Sequence, residues 1–371
     1  MRGATGDSAV QNDDQNDSFQ FLSDWRAFAP IAFTNLLLCI VTLGIYGFWA
    51  RTRERRFLWG NTRFIDEPLE WTGTGLELLI GWLLAIGLFG LPLAALQFAI
   101  QALLLRGYTG IGGALAIGLY FAALYLTGIA IFRALRYRLS RTFWRGIRGG
   151  SDTQGFRFGL SYVWRTILGS LLLGLLIPWS TVALWNKRWN AMSFGPMPFR
   201  ADARPGPLMG RFLLFYLLPF LIVVAGIAAA VLGVTAGVTV PRGADPGTLP
   251  APIILVIAVF YLIFFVLLGL ISLIYYAAYF REVVSKLTLG ELEFEFTART
   301  RHWLMLAIGN FALVVLTLGI GYIFVGYRNW TFFVRHMRAY GHIDASALTQ
   351  STTREPGQGE GLLDAFDVGA I

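Results

Sequence analysis

Long apolar runs alternate along the chain with shorter aromatic and basic ones. LELLIGWLLAIGLFGLPLAALQFAIQALLL (Leu76 to Leu105) and PIILVIAVFYLIFFVLLGLISLIYYAA (Pro252 to Ala278) each exceed the roughly 20 apolar residues a helix needs to cross a bilayer core of about 30 Å. Only helices and closed barrels satisfy their backbone in lipid, and these runs lack the alternation of a barrel strand. Each run belongs to a pair. Leu76 to Leu105 pairs with Gly110 to Leu135 across RGYTG, and Phe212 to Val240 pairs with Ala251 to Ala278 across PRGADPGTLP. The joints carry little positive charge and the outer ends carry much. Arg51 to Arg56 and RALRYRLSRTFWRGIR flank the first pair; Arg200, Arg204, Arg211, Arg281 and Lys286 flank the second. The positive-inside rule makes each pair a transmembrane hairpin with its loop outside.

Around these pairs the chain repeats itself. TLGIYGFW at Thr42 to Trp49 recurs as TLGIGYIF at Thr317 to Phe324, an offset of about 275 that also puts Asn35 on Asn310, Phe21 on Phe296 and Arg53 on Arg328. A third copy fits at an offset of about 130, with Trp49 on Trp179, Trp59 on Trp189 and Phe64 on Phe194. In every copy an apolar stretch meets a Gly or Pro break and then an aromatic, mostly basic segment. Both ends of each copy are basic, so both ask for the cytoplasm, whereas one straight span exchanges sides. Two readings resolve this. One is a re-entrant helical hairpin broken at Leu43-Gly44, at Pro178 and at Gly319 to Gly321. Its half-helix from Phe28 to Val41 rises about 21 Å, too short to cross. The other is three ordinary spans that override the charge bias and give seven crossings. The expected fold is an all-α integral membrane protein, with three repeats of Gly/Pro-broken helices plus two transmembrane hairpins.

The expected layout is a polar, disordered N-terminus over 1–18 and a single multi-pass membrane domain over 19–342, followed by a mostly disordered tail over 343–371. Repeat copies occupy about 19–66, 154–200 and 292–341; the hairpins occupy about 76–135 and 208–280. The N-terminus has no basic start followed by an apolar stretch, so no signal peptide is expected there. In the tail, GLLDAFDVGAI reads either as a frayed end or as one short amphipathic helix. QGFRFGLSY (Gln154 to Tyr162) and ELEFEFTAR (Glu291 to Arg299) alternate apolar and polar residues and read as short extended segments, with QFLSDW (Gln20 to Trp25) a degenerate equivalent.

Composition sharpens the picture. Of 371 residues 56% are hydrophobic and 14% charged, with a mean hydropathy of +0.60, whereas a soluble domain carries about 25% charged residues. The net charge of +8 is explained by arginines beside hydrophobic spans, so no nucleic acid is expected as a partner. One cysteine, Cys39, and three histidines without ligand spacing (His302, His336 and His342) leave no expected metal site, and no cofactor is expected.

TLGIYGFWARTRERRFLWGNTRF, YRLSRTFWRGIRGG and GEGLLDAFDVGAI together resemble the YjgN family of bacterial inner-membrane proteins, a family of unknown function. The resemblance runs over about Phe19 to Gly341. The family pattern has a Pro-Trp after the break; here copy two keeps Pro178-Trp179, copy one has Phe48-Trp49, and copy three has Phe324 in place of the Trp. The resemblance implies a multi-pass protein of the bacterial inner (cytoplasmic) membrane, and no reaction. The arginine distribution places both termini in the cytoplasm.

No enzyme is expected. There is no GxSxG elbow, HExxH or P-loop, and GIRGGSDTQG (Gly146 to Gly155) reads as a loop. Polar groups within the membrane are the better lead. Asn35, Thr42, Asn310 and Thr317 sit at matching positions, either as a symmetric polar site near broken helices or as side chains that bond across helices and cap freed backbone. A second candidate is a lipid-headgroup belt of Arg51, Arg53, Arg55, Arg56, Trp59, Lys187, Arg188, Trp189, Arg328 and Arg335. The first points to a transporter or permease component for a small solute. The second points to a non-catalytic membrane organiser that binds lipid headgroups or partner proteins. Transport leads slightly, because repeats around broken helices are costly to build for a mere anchor. Membrane lipids are the expected partners in either reading, together with a second copy of the chain or another membrane protein.

Overall fold

The computed structural model describes residues 18–235, 251–341, 343 and 349–355. The polar start of the chain, the PRGADPGTLP joint, His342 and GLLDAFDVGAI lie outside the described residues.

Copy one opens with strand β1 (Phe19–Phe21) and helix α1 (Trp25–Val41), which Asp24 caps by accepting from the Ala27 N–H at 3.0 Å. It continues through α2 (Gly47–Gly60), β2 (Thr62–Phe64), β3 (Glu67–Pro68) and β4 (Glu70–Trp71). The first long excursion is α3 (Gly75–Ala85), a π turn at Ile86–Gly90, α4 (Leu91–Leu105) and α5 (Thr109–Arg141). Then come β5 (Thr142–Trp144), β6 (Ile147–Gly150), copy two's α6 (Phe156–Ser170) and α7 (Ile177–Trp189), β7 (Ser193–Phe194) and β8 (Met197–Ala201). The second long excursion is α8 (Gly206–Phe212), α9 (Leu214–Thr235) and α10 (Ala251–Ser285). Copy three comprises β9 (Leu287–Leu289), β10 (Leu292–Phe296), α11 (Thr300–Leu316), α12 (Val325–His336) and β11 (Met337–Tyr340). Among the described residues four stretches are long and apolar enough to cross a membrane: Gly75–Leu105, Thr109–Arg141, Gly206–Ile227 and Ala258–Ser285.

The expectation of an all-α protein is corrected here. Strands β4 to β11 pair in chain order into one eight-stranded antiparallel sheet that curls into a half-barrel, and β1, β2 and β3 form a second sheet. These strands are only two to five residues long, too short for an alternation signal to stand out beside runs of apolar helix. ELEFEF is indeed strand β10, but QGFRFGLSY is not extended: from Phe156 it starts α6, where the longer apolar run overrides four alternating residues. GIRGG is likewise a strand, not a loop, with Gly149 paired to Phe194.

The sheet dictates the connectivity of everything else. Each helical excursion leaves from one strand and returns to its antiparallel neighbour: β1 and β2 bracket the α1–α2 hairpin, and β4 and β5 the first long pair. In turn β6 and β7 bracket α6–α7, β8 and β9 the second long pair, and β10 and β11 α11–α12. Both ends of every excursion therefore lie on the same side. Three straight single crossings, and with them seven crossings in all, are incompatible with this pairing. Between excursions the strands turn tightly. Arg145-Gly146 has two positive φ angles, and Gly195 and Gly290 lead the other two Gly turns, the residue choices that two-residue hairpins demand.

The core lies where the inner ends of the helices meet the sheet. It is aromatic and branched: Phe132, Trp144, Val182, Trp185, Phe199, Leu208, Phe294 and Phe296 are among its buried members. Trp144 donates through Nε1 to the Phe64 carbonyl at 3.0 Å, and the Arg145 guanidinium pairs with Asp66, joining two β-turns. That bond holds the Arg145 pKa above its ordinary value. A smaller cluster of Phe28, Leu58, Trp59, Trp71 and Tyr327 joins copies one and three. Part of the tail expected to be disordered is ordered. Residues 349–355 strap across β6 and the end of α5, where the Gln350 side chain accepts from the Arg148 N–H at 3.2 Å and the Arg354 carbonyl accepts from buried Arg136 at 3.1 Å.

Candidate functional site: hairpin tips, locks and basic clefts

All three helical hairpins turn on a left-handed Leu-Gly pair, preceded in copy two by a further left-handed leucine, Leu172, at φ 53°. Leu43 and Gly44 have φ of 50° and 90°, Leu173 and Gly174 58° and 88°, Leu318 and Gly319 52° and 94°. A left-handed leucine costs about 1–2 kcal/mol, so three of them at equivalent positions mark a designed reversal. These leucines are 94%, 92% and 93% exposed, each at the tip of its hairpin among other exposed apolar residues.

Just below the tips, Thr42 donates to the Leu38 carbonyl at 2.7 Å and accepts the Tyr46 N–H at 2.9 Å. Thr317 does the same with the Leu313 carbonyl at 2.6 Å and the Gly321 N–H at 2.7 Å. Both hydroxyls thus occupy backbone groups freed by the break. Lower still, the arms are tied together. Buried Asn35 donates to the Ala50 carbonyl at 3.2 Å and to Glu54 at 3.3 Å. Asn310 donates to Asn329 at 3.0 Å and accepts from Arg328 Nε at 2.7 Å. Asn35 and Asn310 share no partner among the described residues. The four polar residues singled out from the sequence are divided between two separate hairpins, each serving its own.

Copy two is built differently at the same level. The offset of about 130 from Asn35 lands on Arg165, whose carbonyl accepts from Ser180 at 2.8 Å. Its guanidinium carbon sits 4.9 Å from the Trp164 ring centre and 5.5 Å from that of Trp179, in range for cation–π attraction. Its Nε and Nη1 are buried without a hydrogen-bond partner. One turn towards the base, the Lys187 ammonium bonds to Ser161 Oγ. Burial, and then repulsion by Arg165 and Arg157, lowers the Lys187 pKa.

The predicted headgroup belt splits in two. Trp59 is core: it stacks on Trp330 at 4.0 Å and donates to Thr142 at 2.9 Å. Trp189 packs partly buried on Phe199 at 5.0 Å, and buried Arg55 and Arg188 lie over the rings of Trp71 and Trp185. Arg51 is half-buried. The remaining five open onto clefts, one at the base of each hairpin. Arg53 and Arg56 line a cleft of about 390 Å³ beside Trp49 and Thr74; Lys187 lines one of about 500 Å³ beside Arg157 and Phe156. Arg328 and Arg335 line the largest, about 740 Å³, between copies one and three, with Met305, Leu313 and Phe324 forming its apolar wall. His302 and His336, read as separate in the sequence, meet here with ring centres 4.9 Å apart. Burial first, then His336 and the neighbouring arginines, lowers the His302 pKa. Sequence reasoning missed Arg157, Arg165 and this histidine pair. The repeat offset alone was enough to find Arg165.

The geometry defines a class: a multi-pass membrane protein whose helical excursions, alternately short and long, rise from two meandering antiparallel sheets. The chain belongs to the family described as "Bacterial protein of unknown function (DUF898)", which matches residues 16–365. A stretch of 138 residues is 27% identical to the inner membrane protein YjgN of Salmonella typhimurium; it covers 37% of this chain and about a third (32%) of the relative's length. No solved structure matches. The YjgN resemblance read from the TLGIYGFW core is borne out, as is a multi-pass location in the bacterial inner membrane.

Proposed function

We propose that the protein is a non-catalytic membrane organiser, whose three helical hairpins enter the bilayer core from the cytoplasmic side without crossing it, while the clefts at their bases hold anionic lipid headgroups. The observation that carries this reading is the trio of tip leucines, Leu43, Leu173 and Leu318, each more than nine-tenths exposed. In water they are a liability. In acyl chains each contributes about 1.5–3 kcal/mol by burial, enough to offset its left-handed strain. The length of the arms fits: α1 and α11 have 17 residues each and span about 25 Å, short of a core of about 30 Å. Basic residues at the hairpin bases then stand at headgroup level, where each is worth about 1 kcal/mol near an anionic surface. A solute path has no comparable support, because Asn35, Thr42, Asn310 and Thr317 are engaged in capping and tying their own hairpins.

The test is depth. In a Cys39→Ser background, single cysteines at positions 43, 173 and 318 receive a fluorophore, and the protein is placed in bilayers with quenchers at graded depths. The reading expects all three probes inside the hydrocarbon core, around its middle and short of the outer headgroups. Labelling of these positions in intact cells by an impermeant reagent added outside would overturn it.

A further inference from the structure

We infer that copy two carries a binding site for a phosphate-bearing anion, formed by Arg157, Lys187 and Arg165 along the inner face of the α6–α7 hairpin. The site goes beyond the headgroup belt and rests on the organiser reading only for the source of the phosphate.

Arg157, Ser161 and Arg165 are spaced by four and therefore share one face of α6. Lys187 reaches across from α7 and lands on Ser161, between the two arginines. The result is a ladder of three cations from the mouth of the hairpin towards its middle. Among the described residues no carboxylate bonds to any of them, and none lines the cleft of about 500 Å³ at the lower end. The repulsion is felt within the chain, since both arginines act on Lys187. The other two hairpins close the same level with their own side chains, Asn35 on Glu54 and Asn310 on Arg328. Copy two has a cation in the asparagine's place and no counter-charge.

A row of uncompensated cations whose inner member is half-buried is unfavourable unless an anion completes it. Guanidinium and ammonium groups set along a groove match a phosphate, which takes several charge-assisted hydrogen bonds at once. Phe156 and Phe158 at the cleft provide an apolar flank for whatever the phosphate carries, and Trp164 and Trp179 hold Arg165 in position. The ligand class is thus a phosphate ester, either the headgroup of an anionic phospholipid or a soluble phosphate monoester.

The experiment uses the full chain. Retention of phosphatidylglycerol against phosphatidylcholine is measured in mixed bilayers, and sn-glycerol 3-phosphate is titrated in neutral detergent with tryptophan fluorescence as the readout. Wild type should prefer the anionic lipid, and Arg165→Gln and Lys187→Gln should each weaken binding about tenfold or more, the scale of one charge-assisted contact. Arg165→Lys should keep most of the affinity, and Arg106→Gln, in the outer joint of the first long pair, should behave as wild type. Binding of the soluble ester as well as the lipid identifies a free phosphate source, and binding of the lipid alone identifies a headgroup. Loss of neither ligand in Lys187→Gln, or equal retention of phosphatidylcholine, overturns the site. Should Arg165→Gln fail to fold, exposed Lys187 and Arg157 carry the test. Tip depths are measured independently, so a surface-lying hairpin that still binds the ester sinks the organiser reading and leaves the site standing.

Discussion

Hairpins one and three solve the same problem as hairpin two with different side chains. All three reverse on a left-handed Leu-Gly pair, so the backbone solution is common. In copies one and three a threonine then caps the break and an asparagine ties the arms. In copy two Leu172 replaces the threonine, Arg165 replaces the asparagine, and the tie runs from Ser180 to a carbonyl. The difference shows which part of the repeat is architecture and which is open to change. The Leu-Gly turn is architecture. The polar level beneath it is bridged by an asparagine twice and by an arginine between tryptophan rings once.

Breaking the common part should cost most. Gly44→Val, Gly174→Val and Gly319→Val each force a β-branched residue to a φ near 90°, at more than the 1–2 kcal/mol of an ordinary left-handed residue. All three should lower the melting midpoint in detergent alike; a copy-two variant that melts as wild type would refute a shared turn. Next come the ties. Asn310→Leu removes the partner of Arg328 and Asn329 and should cost about 2–3 kcal/mol. Arg165→Gln in lipid-free detergent should stay within about 1 kcal/mol, since only ring contacts are lost. Equal losses for the two would erase the distinction between closed and open hairpins. Thr42→Val and Thr317→Val strip a cap and should each cost about 1–2 kcal/mol by the same assay, whereas copy two has no threonine to lose.

The smallest expected effect is one of pH, and it belongs to copy three alone. His302 has a folded pKa below its ordinary value of about 6.5, so the folded state resists its protonation. Its contribution is intact above that ordinary value and is lost as pH falls from there through the folded value. Melting at pH 5.5 against 7.5 should therefore show a loss that His302→Gln reduces; an unchanged pH dependence in that variant would assign it elsewhere.

The legible parts of the fold were those with long periods. The four membrane-capable helices declare themselves by composition, and the repeats by the TLGI motif, because Thr and Gly each have a backbone task at the break. The sheet was hidden because a strand such as Ser193–Phe194 has no period to detect. What could have revealed it is the set of tight-turn signals, Arg145-Gly146, Gly195-Pro196 and Gly290-Glu291, each placed between an excursion's end and the next one's start. The belt was legible only as chemistry. Beside a membrane an arginine and a tryptophan look alike whether they stand exposed, as Arg53 does, or fill a core, as Trp59 does, and only the sheet beneath decides between them.

The in-order pairing of β4 to β11 bears on how the protein is made. A ribosome delivers strands one at a time, and each new strand needs only the one delivered before it. Residue 70 waits for residue 143 while the first long pair is placed in the bilayer, and residue 199 waits for 289 during the second. Each seam that spans an excursion closes only after the intervening helices have gone in and come back. A failed insertion therefore leaves a single open strand edge at a known place, the kind of surface that quality-control proteases and chaperones recognise. The last strand does not stay open: the Ala339 N–H donates to Ser18 Oγ at 2.6 Å, tying the end of the sheet back to the start of copy one.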